Sequence, residues 1–331
     1  MRIVHVSSAH DTSKTDAMIL VTTPTGDIGH RVLERVLDAG ERVRVIARDP
    51  TRLPDALRRR VEAIEGSHAD PGAMGRALEG VTRVFWLPPG NPDSADARAA
   101  YVGFSRALCD ALPGSDVTHV VGVSALGRGW TKPAGLAEAS VAMDDAIGAT
   151  GTSYRALSCA SLMDNLLRQA VPLREDGVFY QPTPGHLKLP HVAKADVAAV
   201  AVRLLLSPDW DGVEEVPLHG PEDLSFDEMA AIASDVLDRP IRCREMPMDA
   251  FESMLRANGT SEGMARDYVR MLVAKNEGMD TMAGPRRREE TPTTFRRWAE
   301  TELRPAVAGT SASRARDDGT ANDGTRPASS R

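Results

Sequence analysis

The sequence contains few cysteines and few aromatic residues. Three of its 331 residues are cysteines, Cys109, Cys159 and Cys243, and aromatic side chains make up 4%. An odd number of widely separated cysteines excludes a disulfide framework and argues against a zinc site. The eight histidines show no ligand spacing such as His-Glu-x-x-His, so we expect no bound metal.

Excess positive charge and long apolar runs are also lacking. The net charge of -7 argues against nucleic acid or an anionic membrane as a partner. No segment has the roughly 20 consecutive apolar residues that span a bilayer, and the N-terminus lacks the apolar core of a signal peptide. We therefore expect a soluble, cytoplasmic protein. Residues 1–17 are interpreted as a poorly ordered leader, and residues 305–331, which contain no aromatic residue, as a disordered tail.

Short apolar strands alternate with amphipathic helices from Met18 onward. Strands separated by helices of ten or more residues indicate βαβ crossovers and a parallel sheet that is covered on both faces. The predicted fold class is α/β, a Rossmann-type doubly wound parallel sheet with a smaller, mainly helical substrate lobe. Residues 18–160 plus about 188–220 are assigned to the dinucleotide-binding domain, and about 161–187 and 221–304 to the lobe that caps its crevice.

The first strand runs into a glycine-containing turn that opens a helix. Such a turn lets the backbone approach a pyrophosphate, and the helix N-terminus adds unpaired N–H groups. Two glycines of the expected three are present, and Thr23 stands where the first one belongs. A structural turn that has lost its cofactor is the alternative. The predicted phosphate-binding residues are Thr23, Thr25, Gly26, Asp27, Ile28 and Gly29.

Arg48 follows the second strand, about twenty residues after the glycines, where an acidic residue would bind a ribose 2′-hydroxyl. A guanidinium offers a planar fork that suits a 2′-phosphate, and Asp49 comes next. We therefore predict NADP(H) as the cofactor rather than NAD(H). A solvated surface arginine is the alternative interpretation.

Several segments together resemble the NmrA-like branch of the atypical short-chain dehydrogenase/reductases. The resemblance runs from about Met18 to Glu302 and rests on the order and spacing of TPTGDIG (23–29), VIARDP (45–50), VGVSALG (121–127), SLMDNL (161–166) and ADVAAVAVRLLL (195–206). That branch includes NAD(P)H-dependent quinone reductases, redox sensors and tailoring proteins of bacterial natural-product (antibiotic) pathways. Residues 157–160 and Ser67 depart from its pattern. The Tyr-x-x-x-Lys pair of ordinary short-chain dehydrogenases is missing, which is common in the NmrA-like branch.

The carboxyl ends of parallel strands share one crevice, which brings Leu87 and Pro88 beside the phosphate turn. The resemblance implies that Ser124 lies near the nicotinamide, where it would hydrogen-bond a substrate carbonyl; a strand-end cap is the alternative. Lys132, in the loop that follows, is a candidate electrophile, against the alternative of an exposed loop lysine. The candidate substrate-binding residues are Cys159, Met163 and Asn165, with a buried inert thiol and helix core packing as alternatives.

These features favour NADPH-dependent reduction of a small conjugated carbonyl compound, such as a quinone or an aromatic polyketide intermediate, by direct hydride transfer. Two alternatives remain open. One is a non-redox tailoring enzyme that performs coupling, cyclisation or isomerisation on a repurposed scaffold. The other is a sensor that binds NADP(H) and has no catalytic activity.

Overall fold

A computed structural model describes residues 18–282 and 289–309. Within them the chain forms a seven-stranded parallel sheet and two small sheets of three and two strands. The strands are β1 (Met18–Thr22), β2 (Arg42–Ala47), β3 (Glu62–Glu65), β4 (Val81–Trp86), β5 (His119–Ala125), β6 (Ser153–Cys159), β7 (Ser161–Leu162), β8 (Val178–Gln181), β9 (Leu189–Val192), β10 (Val213–Leu218), β11 (Asp223–Leu224) and β12 (Arg242–Glu245).

The α-helices are α1 (Asp27–Asp38), α2 (Asp55–Arg58), α3 (Pro71–Leu78), α4 (Phe104–Ala111), α5 (Leu136–Gly148), α6 (Ala170–Glu175), α7 (Lys194–Leu206), α8 (Phe226–Leu237), α9 (Met248–Ala257), α10 (Glu262–Asn276), α11 (Phe295–Trp298) and α12 (Arg304–Val307). Two π-helical turns, Ala99–Gly103 and Ala299–Leu303, run directly into α4 and α12. Short 3₁₀ helices include Met163–Gln169 and Met279–Thr281. None of the helices in the described ranges is long and apolar enough to cross a membrane.

The large sheet has the strand order β10-β6-β5-β4-β1-β2-β3, and all its pairings are parallel. Helices α1 and α7 cover one face, where Val32 and Val197 are fully buried, and α3, α4 and α5 cover the other. The predicted Rossmann-type α/β fold is therefore confirmed. The strand order reverses between β1 and β4, and ligands of open α/β sheets bind outside the strand ends at such a point.

The lobe contains short strands that the sequence pattern does not predict. Strands β11, β9 and β7 form one small sheet, and β12 pairs with β8 in the other. With two to four residues each, these strands are too short to show an apolar period. Helices α8 and α11 pack with them around a separate apolar core that includes Phe179, Phe226 and Trp298.

Helix α12 extends beyond Pro305, the predicted start of the tail. It buries Ala306 and Val307 against Leu173 of the lobe core, which corrects the prediction of a disordered tail for residues 305–309. Apolar contacts with α6 supply the burial that the composition of residues 305–331 does not suggest. The predicted leader, residues 1–17, and the rest of the tail, residues 310–331, lie outside the described residues.

Candidate active site

The phosphate turn and Leu87 follow β1 and β4, and Ser124 lies near the end of β5. Strand β1 lies between β2 and β4, and β5 lies next to β4. The hydroxyl of Thr22, at the end of β1, accepts a hydrogen bond from the Leu87 N–H (2.9 Å) and donates one to the Phe85 carbonyl (2.9 Å). The ends of β1 and β4 are thus held together, with half-buried Leu87 and buried Pro88 beside the turn.

Thr23 keeps the backbone conformation that a glycine would adopt at the start of the turn. Its φ of 48° is in the left-handed region, which β-branched residues rarely occupy. Its carbonyl accepts the Gly26 N–H (3.0 Å), and its own N–H donates to Nε2 of His68 (3.1 Å). Thr25, Gly26 and Asp27 remain exposed. The substitution of Thr for Gly has therefore not filled the outer surface of the turn.

The two glycines of the turn have different roles. A Cβ on Gly29 would lie 2.1 Å from the Thr23 carbonyl oxygen, so only glycine lets α1 approach β1 this closely. A Cβ on Gly26 would lie 3.5 Å from the same oxygen, an ordinary contact. Gly26 is the N-cap of α1 and has no side chain that could cap the first turn of the helix. The outer face of the turn therefore fits a pyrophosphate.

His68 is a turn residue that sequence reasoning missed. It lies three residues after β3 and is 5% exposed. The centroid of its ring is 6.1 Å from that of Trp86 and 5.8 Å from that of Phe104. Burial, with a contribution from the positive charge of Arg48, lowers the pKa of His68 to about 4. The imidazole is thus neutral near pH 7, and its unprotonated Nε2 accepts the Thr23 N–H. The sequence signal that could have indicated His68 is its position directly after Ser67, a residue that departs from the family pattern.

Arg48 is exposed at the end of β2, and its charge acts on His68 under the turn. Asp49 is engaged elsewhere, because its carboxylate caps the next 3₁₀ turn and accepts hydrogen bonds from the N–H and hydroxyl of Thr51. Those two hydrogen bonds lower the pKa of Asp49. The guanidinium is therefore the charged group that β2 presents beside the turn, which fits a 2′-phosphate.

Asp27 carries a negative charge at the site where a pyrophosphate would bind. Its carboxylate pairs with Nζ of Lys194 at 2.6 Å, and the Lys194 N–H donates to Asp164. Lys194 begins α7, far along the chain, so no local motif indicated it as part of the turn. The ion pair neutralises a carboxylate that would otherwise repel the phosphates.

Ser124 lies at the buried end of β5, opposite Ser158 of β6. Burial raises the pKa of Asp144 to about 6, although the hydroxyls of Ser124 and Tyr154 and the charge of Arg128 oppose the rise. The Tyr154 hydroxyl donates to Asp144 and occupies the space above Gly122, where a Cβ would clash with it. Ser124 therefore borders a buried carboxyl group that the sequence did not single out.

The structure does not bring Lys132 into the crevice. Its side chain is 64% exposed, pairs with Glu277 at 2.7 Å and lies over the ring of Trp130. This position corrects the suggested catalytic role and matches the alternative, an exposed loop lysine.

The three candidate substrate-binding residues are in different environments. Cys159 is buried at the end of β6, and burial, with the charge of Asp144, raises the pKa of its thiol to about 12, which makes it a poor nucleophile. Met163 is buried in the apolar core of the lobe. Asn165 is exposed on the 3₁₀ helix, on the same face as exposed Arg168 three residues later. The described residues contain no cluster of His, Cys, Asp or Glu that could hold a metal.

Comparisons with known proteins agree with this geometry. Residues 24–208, more than half of the chain, match the family model described as NAD(P)H-binding. The chain is 32% identical over 241 residues to the (4-alkanoyl-5-oxo-2,5-dihydrofuran-3-yl)methyl phosphate reductase of Streptomyces griseus, covering 72% of this chain and 81% of the relative. It is 29% identical over 248 residues to the NAD(P)H azoreductase of Xenophilus azovorans, covering 75% and 84%.

A similar solved structure is the NADPH-dependent quinone oxidoreductase of Escherichia coli complexed with NADPH. The two folds superpose with a TM-score of 0.69 at 21% identity, over 88% of this chain and 99% of the other. Together with the exposed turn and the family match, these similarities identify the chain as a member of the NAD(P)H-binding family, in the NmrA-like branch of the atypical short-chain dehydrogenase/reductases, and as an NAD(P)H-dependent oxidoreductase.

Proposed function

We propose that this protein uses NADPH to reduce a small, flat, conjugated carbonyl compound, such as a quinone or an aromatic polyketide intermediate. The observation that carries the proposal is the exposed turn at Gly26, which opens α1 beside exposed Arg48. The carboxylate next to Arg48, that of Asp49, already accepts a hydrogen bond from Thr51. An arginine without a competing acidic partner favours the 2′-phosphate of NADPH over the free hydroxyl of NADH.

The names of the relatives support a conjugated acceptor as the substrate class. They are a reductase of an oxo-dihydrofuran, an azoreductase and, among solved structures, a quinone oxidoreductase. In each named substrate, delocalised electrons can accept a hydride. Such an acceptor spreads the incoming negative charge, which reduces the need for the tyrosine acid that this sequence lacks.

In this mechanism, bound NADPH supplies a hydride from its nicotinamide. The first turn of α1, with the amides of Ile28 and Gly29, would hold the phosphates, and Arg48 would hold the 2′-phosphate. Leu87 and Pro88 form an apolar wall that limits water. The hydroxyl of Ser124 orients the substrate carbonyl, so that the contribution of the chain is mainly orientation in a dry crevice.

The three cysteines are free thiols, which supports the cytoplasmic location expected from the sequence.

The test is NADPH consumption with a panel of quinones, compared with NADH at equal concentration. We expect turnover that prefers NADPH. Substitution Arg48→Ala should weaken NADPH binding about tenfold or more, the value of a lost charge-assisted hydrogen bond, and leave NADH binding unchanged. Arg42→Ala, at the opposite end of β2, is the matched control. NADPH binding without turnover of any quinone would instead favour the sensor.

A further inference from the structure

A buried ion pair lies where the lobe meets the strand ends of the large sheet. Nζ of Lys275, at the end of α10, is 2.6 Å from Oδ2 of Asp280, and the side chains are 5% and 0% exposed. Removing two charges from water carries a large desolvation penalty, and apolar residues of similar volume would pack such an interface as well. The pair therefore calls for a reason beyond packing.

The neighbours of the pair place it at the crevice. The charge of Lys275 acts on Cys159 at the end of β6 and on His191 in β9. The turn that carries Asp280 packs against β9. The sulfur of Met279, the residue before Asp280, would lie 3.4 Å from a Cβ on Gly127, just after β5. The ion pair thus lies next to the ends of β5 and β6, the strands that carry Ser124 and Cys159.

Two polar atoms beside Lys275 are left without hydrogen bonds. Oδ1 of Asp280 and Nε2 of His191 are buried and have no hydrogen-bond partner among the described residues. Nδ1 of His191 lies 2.9 Å from the Leu189 carbonyl, so this nitrogen carries the proton and Nε2 is a bare acceptor. Buried polar atoms nearly always form hydrogen bonds. Two unpaired polar atoms near one ammonium group therefore indicate a position where a polar ligand atom or a water molecule binds.

We propose that Lys275, held by Asp280 and flanked by His191, binds the oxygen of the reducible carbonyl or quinone group of the substrate. The ammonium group has three N–H donors and uses one on Asp280, which leaves donors for a substrate oxygen. A hydroquinone or enol hydroxyl could in turn donate to Nε2 of His191. This inference rests on the proposed function, because it assumes a substrate that carries such an oxygen.

The test measures binding of 1,4-naphthoquinone to the protein loaded with NADP⁺, which cannot reduce it. We expect Lys275→Met to weaken this binding at least tenfold and to leave the affinity for NADP⁺ within twofold of the original chain. Lys132→Met is the matched control, since Lys132 also pairs with a glutamate at 2.7 Å but is exposed; it should change neither affinity.

A second variant keeps the test valid if Lys275→Met fails to fold because Asp280 is left unpaired. The double substitution Lys275→Met with Asp280→Leu replaces both charges with apolar groups, which is often neutral for stability. Weakened naphthoquinone binding by this variant, with naphthalene binding retained, supports the proposal. Unchanged naphthoquinone binding, or an equal loss for naphthalene, which has no oxygen, overturns it. Lack of quinone turnover by the original chain would defeat the proposed function, while the binding comparison would still test the site.

Discussion

The backbone N–H of Thr23 donates a hydrogen bond to Nε2 of His68, 45 residues further along the chain. This contact holds a threonine in a left-handed conformation (φ 48°) at the point where the phosphate turn begins. The substitution of Thr for the expected glycine is thereby accommodated without loss of the turn. Two of the following predictions concern the histidine.

The conformation of Thr23 predicts that Thr23→Gly stabilises the fold or leaves it unchanged. Glycine relieves a left-handed strain of about 1–3 kcal/mol, offset in part by the greater entropy of glycine in the unfolded chain. The Thr23 hydroxyl is buried without a hydrogen bond in the described structure, so its loss costs little. His68→Phe should instead destabilise by about 1–3 kcal/mol, because the Thr23 N–H loses its acceptor. Urea denaturation of both variants checks this, and equal destabilisation would contradict it.

The buried histidines predict that acid weakens the fold. Burial lowers the pKa of His68 and of His191 from 6.5 to about 4, so the unfolded chain binds protons that the folded chain does not as the pH falls below 6.5. Asp144, with its pKa raised to about 6, acts in the opposite direction between pH 6 and 3.8. We expect a net loss on the order of 2 kcal/mol in the free energy of unfolding between pH 7 and 5.

Asp144→Asn gives this prediction its control. The substitution removes one of the opposing groups, since burial also raises the pKa of Asp164. The side-chain oxygen of the asparagine can still accept the hydrogen bond of the Tyr154 hydroxyl, so the loss of stability between pH 7 and 5 should become steeper. Denaturation of both chains at pH 5, 6 and 7 supplies the measurement. A stability that stays level or rises toward pH 5 would show that the histidines are not held neutral.

The two turn glycines predict opposite outcomes for the same substitution. Gly29→Ala forces a Cβ to within 2.1 Å of a backbone oxygen, and we expect a loss of several kcal/mol or failure to fold. Gly26→Ala meets only an ordinary contact, so the fold should survive while a methyl group intrudes on the phosphate surface and weakens NADPH binding. Thermal unfolding and calorimetric titration separate these effects. Full NADPH affinity in a folded Gly26→Ala protein would argue against phosphate binding at this turn.

The Asp27–Lys194 ion pair predicts coupled effects on cofactor affinity. Lys194→Met removes the positive charge that pairs with Asp27 beside the phosphates, and we expect roughly tenfold weaker NADPH binding, about 1.4 kcal/mol. Adding Asp27→Asn removes the repulsion and should restore most of the affinity. A double-mutant cycle by titration measures the coupling. If the second substitution restores nothing, Lys194 acts in some other way than by neutralising Asp27.

The phosphate turn can be predicted from the sequence because its signal is local. Two glycines three residues apart, between an apolar strand and an amphipathic helix, are sufficient to predict a helix N-terminus that faces a ligand. The partners of the turn gave no such signal. His68 and Lys194 lie 45 and 167 residues from the atoms they contact, and a periodic pattern carries no information over such distances.

The lobe also contains elements that local sequence signals predict and elements that they do not. Helix α8 begins with a capping box formed by Ser225 and Glu228, a signal that lies within four residues of the sequence. Strand β12, with three charged residues in four, exists because β8 supplies its hydrogen-bonding partner. The sequence does not show that Lys132 forms an exposed ion pair and Lys275 a buried one. Only the burial of the two side chains in the folded protein distinguishes them.

The alternation of strands and helices in the large sheet, the class of fold and the position of the nucleotide turn follow from the residues alone, since hydrophobic period and glycine placement act over a few neighbours. The protonation of His68, the neutralisation of Asp27 and the enclosure of Lys275 with Asp280 arise only when remote segments pack together. Burial and charge pairing depend on three-dimensional neighbours, and these groups acquire their chemistry from that packing.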